Sequence, residues 1–362
     1  MSVSCGIVGL PNVGKSTLFS ALTSAQAEVG NFPFCTIEPN VAQVEVPDER
    51  LQILHERIET QKVIPAFVRV VDIAGLIEGA SEGEGMGNKF LGNIKECDAI
   101  MQVVRCFGGD RVVRENPVDP IADIEIIELE LALADLDTVK RNIERVGKRA
   151  RHDKDLQFQL ATFEKAAALL EEGRQLRRES WNELERAALK PMFLMTMKPM
   201  LYVANVSDED IDGSSELAQK VAARAAASGC EWLPICADME LELRGMEPDD
   251  RTLFMEELGI VELGLERLIQ ATYKLLGLQT YFTAGEKEIR AWTIHQGDKA
   301  PTAAGVIHTD FEKHFIRAEV YSVNDLVEFG TEAEVKAAGK LRTEGRDYTM
   351  RESDVCHFLI GK

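Results

Sequence analysis

No stretch of this chain is apolar for long enough to cross a bilayer, and no basic-then-apolar leader follows Met1. The sequence therefore reads as unexported and without a membrane partner. Nor do its seven cysteines (Cys5, Cys35, Cys97, Cys106, Cys230, Cys236 and Cys356) contain a C-x-x-C pair, and their number is odd. That spacing excludes the usual zinc and disulfide frameworks. Several lie in apolar runs, where a free thiol acts as a small hydrophobe in a reducing compartment, which points to the cytoplasm. Basic residues are in deficit: 41 Lys and Arg against 61 Asp and Glu leave a formal charge of −20. Such a surface repels phosphate backbones on average, so any contact with RNA has to use a local patch. Internal repeats and low-complexity tracts are absent as well.

What is present is 45% hydrophobic residues spread over 362 positions. That length exceeds the size at which a single core stops growing, so two or more domains are expected. Cys5 to Leu10 is a short apolar run ending near glycine, and Lys15 to Thr23 reads as a helix. Further strand candidates are Val41–Val46, Phe67–Ile73, Ala99–Cys106, Met200–Val206 and Trp232–Cys236. Helical patterns at Asp48–Glu59 and Ser214–Ala227 separate several of them. This alternation implies an α/β fold with a mostly parallel sheet covered on both faces.

Between Ile121 and Lys190 glycine nearly vanishes, remaining only at Gly147 and Gly173. Leu129, Leu133, Leu136, Val139, Ile143 and Val146 recur at spacings of three and four, and Leu156–Leu170 offers a partner stripe. An antiparallel coiled-coil arm inserted between two sheet strands is expected here. Its first helix ends in a basic cluster: Lys140, Arg141, Arg145, Lys148, Arg149, Arg151 and Lys154. The cluster reads as an RNA contact or as a solvated helix face. After a helix at Leu263–Leu276, short β-like runs (Ala291–Ile294, Phe315–Val320, Cys356–Ile360) and short helices (Val323–Glu328, Thr331–Ala338) indicate a separate small α+β domain. The acidic stretches Asp208–Asp212 and Glu240–Asp250 read as solubilising surface.

Gly9-Leu10-Pro11-Asn12-Val13-Gly14-Lys15-Ser16-Thr17 matches G-x-x-x-x-G-K-[ST] and sits between a strand and a helix, where a phosphate cradle belongs. Backbone N–H groups of this loop converge on the phosphates, Lys15 reaches the β- and γ-phosphates, and Ser16 offers a hydroxyl to Mg2+. Downstream, the apolar strand from Phe67 ends in Asp72-Ile73-Ala74-Gly75, a D-x-x-G. The Asp72 carboxylate is suited to hold a metal-bound water, and the Gly75 N–H to sense the γ-phosphate. Thr36 lies between the two motifs, where a switch loop supplies a second hydroxyl to the metal.

Asn205-Val206-Ser207-Asp208 ends one strand and Cys236 ends a later one, both at base-recognition positions of such a fold. Val206 stands where the guanine reader N-K-x-D has its lysine. An asparagine amide pairs with adenine N6 and N7, whereas guanine O6 would face the amide oxygen. The Asp208 carboxylate, however, could accept from guanine N1–H and N2–H. Adenine and guanine therefore both stay open on these residues alone.

These motifs, in this order, resemble the Obg-related GTPases and more closely the YchF or Obg-like ATPase family. The resemblance covers essentially the whole chain. It is carried further by Asn31-Phe32-Pro33-Phe34-Cys35-Thr36-Ile37-Glu38-Pro39-Asn40, by the glycine-rich run Gly79 to Asn88 and by the helical insertion. Leu278 to Gly285 and Ile307-His308-Thr309-Asp310-Phe311 look like the family's C-terminal TGS domain, a ubiquitin-like β-grasp module. The resemblance implies a nucleotide-binding domain over 1–277, interrupted by the arm at 121–190, and a TGS domain over 278–362. It also implies a ribosome-associated NTPase, bound to the large subunit, that hydrolyses ATP in preference to GTP and acts as a switch in translation or stress regulation. The family's base motif is N-x-x-E, from which Asp208 departs by one methylene.

Leu76 occupies the place of the water-orienting glutamine of many GTPases, so slow intrinsic turnover is expected. Asn12 matches a P-loop asparagine that in related enzymes helps to bind K+. The loop after the Phe107 strand, where family members carry a functional histidine, has Arg111 and Arg114 instead, and no catalytic residue is assigned there. Three other readings stand beside this one: a GTP-specific GTPase of the Obg class, a metabolic phosphotransferase, and a nucleotide-binding ribosome scaffold that does not hydrolyse.

Overall fold

Ser4–Val8 is an unbroken run of buried residues, the pattern of a strand covered on both faces, and it forms β1. The structure, a computed structural model, describes residues 3–28, 40–73, 86–108 and 118–361. After β1 come α1 (Lys15–Glu28), β2 (Val41–Glu45), α2 (Glu49–Arg57), β3 (Val63–Ile64), β4 (Phe67–Asp72), α3 (Met86–Glu96) and β5 (Ala99–Arg105). Two long helices, α4 (Pro120–Gly147) and α5 (Lys154–Glu171), precede α6 (Glu183–Leu189). Then follow β6 (Met200–Asn205), α7 (Glu216–Ser228), β7 (Glu231–Ile235), α8 (Ala237–Arg244), α9 (Pro248–Leu258) and α10 (Gly264–Leu275). The remainder is β8 (Leu278–Ala284), β9 (Ile289–His295), α11 (Ala300–Ile307), α12 (Thr309–Lys313), β10 (Phe315–Ser322), α13 (Val323–Phe329), α14 (Glu332–Ala337), β11 (Arg342–Glu344) and β12 (Asp354–Ile360).

The chain divides into two compact units, 1–42 with 69–268 and 43–68 with 269–362. Sequence alone suggested a boundary near 277, with everything before it in the nucleotide-binding domain. The second unit instead takes in α2 and β3 from the N-terminal third, because β3 pairs in parallel with β9. A short apolar strand reads the same whichever sheet it joins, so its sequence carries no sign of this.

The first sheet has the order β2-β4-β1-β5-β6-β7. Strands β4, β1, β5, β6 and β7 are mutually parallel, as the alternation of strands and helices implies. Parallel neighbours need long crossovers, and between the adjacent β5 and β6 that crossover contains the arm. Helix α4 begins at Pro120 behind the N-cap Asp119, whose carboxylate accepts from Ile121 and Ala122 N–H at 3.1 and 3.2 Å. Asp153 caps α5 in the same way. The arm's own core contains Val139, Val146, Phe163, Ala166, Leu170, Trp181 and Leu189.

The stripe read from α4 holds only in its second half. Leu129 and Leu133 are 54% and 40% exposed, while Ile124, Ile127, Glu128, Leu131 and Asp135 are buried. Glu128, in the first half of α4, pairs with Arg224 of α7, whereas Ala132, Val139 and Val146 join the arm's core, so its buried face changes along its length. A single heptad register cannot describe both halves.

Two buried carboxylates root the arm. Asp135 accepts from Met195 N–H at 3.1 Å and from the Thr196 N–H and hydroxyl, each at 2.7 Å. Burial raises its pKa despite these bonds. Glu128 is ion-paired with Arg177 at 2.7 Å, Arg224 at 2.5 Å and Arg178 at 3.4 Å, and accepts from the Tyr202 hydroxyl at 2.8 Å. Burial alone would raise the Glu128 pKa, but Arg177, Tyr202 and Arg224 outweigh it and the net shift is downward.

In the second unit the sheet order is β11-β10-β12-β8-β9-β3. Tyr281, Ile294, Ala300, Ala304, Phe315, Val320 and Phe358 form its core. Among the described residues of the whole chain, no helix is long and apolar enough to cross a membrane.

A prediction follows from Glu128. Removing one partner of a buried ion network strands the others, so Glu128→Ala should lower unfolding free energy by about 3–5 kcal/mol in urea titrations. Because its folded pKa is depressed, its contribution is complete above the unfolded pKa and is lost as pH falls through the folded value. Glu128→Gln should therefore show a shallower acid-side loss of stability than wild type.

Candidate nucleotide-binding site

The phosphate loop leaves β1 at the C-terminal edge of the sheet and enters α1, where the helix N-terminus presents unpaired N–H groups. Two of its residues have left-handed backbone, Asn12 at φ 65° and Gly14 at φ 89°. Asparagine is among the few side-chain-bearing residues that adopt this conformation readily. Val13 is buried beneath the loop, while the side chains of Asn12 and Ser16 are exposed and Thr17 is half-buried. Gly9 has no room for a side chain: a Cβ there would lie 2.9 Å from the Val103 carbonyl oxygen of β5.

Asn205, at the end of β6, meets this loop across the sheet. Its side chain is 5% exposed. The Nδ2 group donates to the Val13 carbonyl at 2.9 Å, and Oδ1 accepts from the Ala237 N–H at 3.1 Å. A Cβ on Gly14 would fall 2.0 Å from Nδ2, so the amide lies against bare backbone. Each amide end keeps spare capacity, one hydrogen on Nδ2 and one lone pair on Oδ1. The asparagine is thus a clasp between the phosphate loop and the start of α8 as well as a candidate base reader.

The other base-loop residues diverge. Val206 is buried and its N–H is bonded to the Ile235 carbonyl at 3.0 Å. Asp208 is exposed. Cys236 is buried at the N-cap of α8. Burial raises its thiol pKa against a bond to the Met239 backbone, and the negative charge of Asp208 adds to the rise. Two neighbours in the acidic stretches are not surface residues. Glu240 is 2% exposed and accepts from the Gly264 N–H at 2.6 Å at the start of α10, and the buried Asp210 accepts from the Ser215 N–H at 2.7 Å. Acid-rich composition does not separate such helix-terminus acceptors from solvated carboxylates.

Asp72, at the end of β4, is ion-paired through Oδ1 with Lys15 Nζ. The pair brings together the residue suited to phosphate and the residue suited to a metal-bound water, and the next residue, Ser16, is exposed. Such oxygen donors fit a hard divalent cation such as Mg2+. Thr36, Gly75, Leu76, Arg111 and Arg114 lie outside the described residues.

The basic cluster stands apart from this site, at the far end of α4 and the turn that follows. Lys140, Arg141, Arg145, Lys148 and Arg149 are all exposed. Lys140 is ion-paired with Glu171 at 2.7 Å, Arg141 with Asp137, and Arg145 donates to Asn142 at 2.7 Å. Exposed pairs of this kind contribute about 0–1 kcal/mol and yield to a competing phosphate.

A phosphate loop entering a helix, an aspartate ending the β4 strand and an asparagine clasping the loop from β6 define a P-loop NTPase of the GTPase fold. A family described as 50S ribosome-binding GTPase matches residues 4–152, and the family of YchF GTPase C-terminal regions, described as of unknown function, matches 278–361. The Ribosome-binding ATPase YchF of Escherichia coli O157:H7 is 51% identical over 99% of both chains, and that of Bacillus subtilis is 49% identical over 99% of both. The structure of the Schizosaccharomyces pombe YchF GTPase superposes with a TM-score of 0.90 at 37% identity, covering 99% of this chain and 98% of that one. The chain belongs to the YchF family.

The clasp makes a specific prediction. Asn205→Ala leaves the Val13 carbonyl and the Ala237 N–H without their partner, at a cost of about 1–3 kcal/mol for each buried group. A lower urea midpoint with weaker nucleotide binding is expected. A variant as stable and as tight-binding as wild type would show that the clasp contributes nothing.

Proposed function

We propose that this protein is a ribosome-binding ATPase that binds and slowly hydrolyses ATP, and GTP less well, as a nucleotide-dependent switch. The observation that carries the reading is a phosphate loop with Lys15, Asp72 and Asn205 gathered around it, in a chain about half identical along its length to proteins described as ribosome-binding ATPases. Lys15 exchanges Asp72 for the β- and γ-phosphate oxygens when nucleotide enters. Val13, Gly14, Ser16 and Thr17 supply loop N–H groups to the phosphates. The spare donor and acceptor of Asn205 complement adenine N7 and N6, and Val206 and Cys236 form the apolar surround of the base. Ser16, Thr36 and, through water, Asp72 are the residues that would hold Mg2+, which when bound neutralises phosphate charge. Gly75 N–H senses the γ-phosphate. Asn12, exposed on the loop, is positioned to contact K+.

Residues 278–362 serve as the TGS module of the β-grasp class, and 121–190 as the arm inserted in the nucleotide-binding domain. The chain works in the cytoplasm on the large ribosomal subunit, with Lys140, Arg141, Arg145, Lys148 and Arg149 meeting RNA phosphates. One observation keeps a GTP-specific reading alive: the exposed carboxylate of Asp208 is free to face guanine N1–H and N2–H.

Calorimetric titration with ATP and with GTP, in Mg2+ and K+, tests the site. ATP should bind more tightly, turnover should be faster in K+ than in Na+, and Lys15→Ala should weaken ATP by about 10- to 150-fold, the loss of a charge-assisted hydrogen bond. Tighter GTP binding would transfer base selection to Asp208. The arm is tested separately by reversing its five basic residues to Glu. Ribosome co-sedimentation should weaken and lose salt dependence, since each phosphate contact releases counterions. Unchanged co-sedimentation would place the RNA contact elsewhere.

A further inference from the structure

Helix α9 is held at its ends rather than by burial. Pro248 opens it, where a fixed φ and a missing N–H are no handicap, and Asp249 and Asp250 stand at the positive pole of the helix. At the other end Gly259 takes left-handed backbone at φ 67°, and its N–H donates to the Glu256 carbonyl at 3.1 Å. Ile260 N–H then donates to the Met255 carbonyl at 2.9 Å, which completes the cap. Between these caps no residue of the helix is buried, and only Arg251, Phe254 and Met255 are half-buried. A helix of 11 residues is marginal in water, and most owe their stability to an apolar face packed on the body of the protein.

In α9 large apolar groups are left in water. Leu253 is 60% exposed, Leu258 48% and Val261, just past the cap, 98%. Phe254 and Leu258 are four apart and share a face of the helix, and Leu253 adjoins Phe254 in sequence. One exposed leucine needs no explanation, whereas three such groups within nine residues mark an interaction surface. Charge decides its kind. Residues 247–262 carry six acids (Glu247, Asp249, Asp250, Glu256, Glu257 and Glu262) against Arg251 as the one base. Acids alone would serve solubility, but they do not account for the exposed leucines among them. A strongly negative surface repels RNA phosphates and attracts Lys and Arg.

We propose that α9 and the residues up to Val261 dock in an apolar groove of a basic ribosomal protein, helix in groove, with Lys and Arg on the rim of the groove. The inference rests on the ribosome-binding reading. In an RNA assembly the proteins carry the cations that neutralise phosphate, so an acidic helix selects protein where the cationic arm selects RNA. Both surfaces belong to the first unit of the chain. Leu253, Leu258 and Val261 supply the apolar contact, and the acids around them set partner choice and speed the encounter.

Two measurements with the full chain and purified ribosomes test this. A benzophenone amino acid in place of Val261 should give, on irradiation, an adduct that survives ribonuclease and exceeds the chain by the mass of one basic protein. Leu253→Ser combined with Leu258→Ser should weaken co-sedimentation about tenfold or more, with the urea midpoint unchanged. If that variant does not fold, Glu256→Lys combined with Glu257→Lys carries the comparison, since cations near a helix C-terminus do not disfavour the helix. It should weaken co-sedimentation severalfold at low salt and less at high salt. No adduct, an adduct that ribonuclease removes, an adduct with a second copy of this chain, or unchanged co-sedimentation of the folded variant overturns the inference and leaves the ribosome-binding reading standing. Failure of the wild type to sediment with ribosomes overturns that reading and the inference with it.

Discussion

The nucleotide site depends on one close approach: the Asn205 amide lies where a Cβ on Gly14 would have to be. That single absence of a methyl group lets the end of β6 grip the carbonyl of Val13 and, through Oδ1, the first N–H of α8. Three segments far apart in the chain are held in register by one side chain. A phosphate cradle built of backbone N–H groups works only if those groups already converge, since ordering them at the moment of binding would cost conformational entropy. The left-handed dihedrals at Asn12 and Gly14 are the local expression of that convergence, and the clasp bonds the residue between them.

Charge is handled in opposite ways at the two ends of the arm. At its root, Glu128 is withdrawn from water and surrounded by three guanidinium groups and a phenol, so that one carboxylate joins α4, the segment at Arg177 and Arg178, β6 and α7. At its tip, the basic residues stay exposed and make only surface pairs. Burial makes the root geometrically exacting, because an unpaired charge there is costly. Exposure leaves the tip able to exchange partners.

Most strands and helices of the first unit were legible from periodicity, and the phosphate loop from its motif, because both signals are local. The strand candidates at Val41, Phe67, Ala99, Met200 and Trp232 fall within a residue or so of β2, β4, β5, β6 and β7. Errors arose where the environment of a helix changes along its length. Leu129 and Leu133 fit a helical stripe as well as Val139 does, yet Ile124, Ile127, Glu128 and Leu131 are the buried residues there, with Glu128 paired to Arg224 of α7. Glu240 and Asp210 were indistinguishable from surface acids for the same reason: an acceptor for a helix N–H is recognised only by what stands opposite it.

The sequence by itself determined that the chain carries a phosphate loop, where that loop lies, and that a helical arm interrupts the sheet. These follow from residue types at short spacings, which backbone geometry converts directly into structure. Only the tertiary structure decided that Asn205 grips the loop, that Lys15 and Asp72 form a pair, and that α2 and β3 belong to the C-terminal sheet. Each joins residues tens to hundreds of positions apart. Such pairings are selected by the packing of the whole chain, and a strand of two residues leaves no local trace of which sheet will take it.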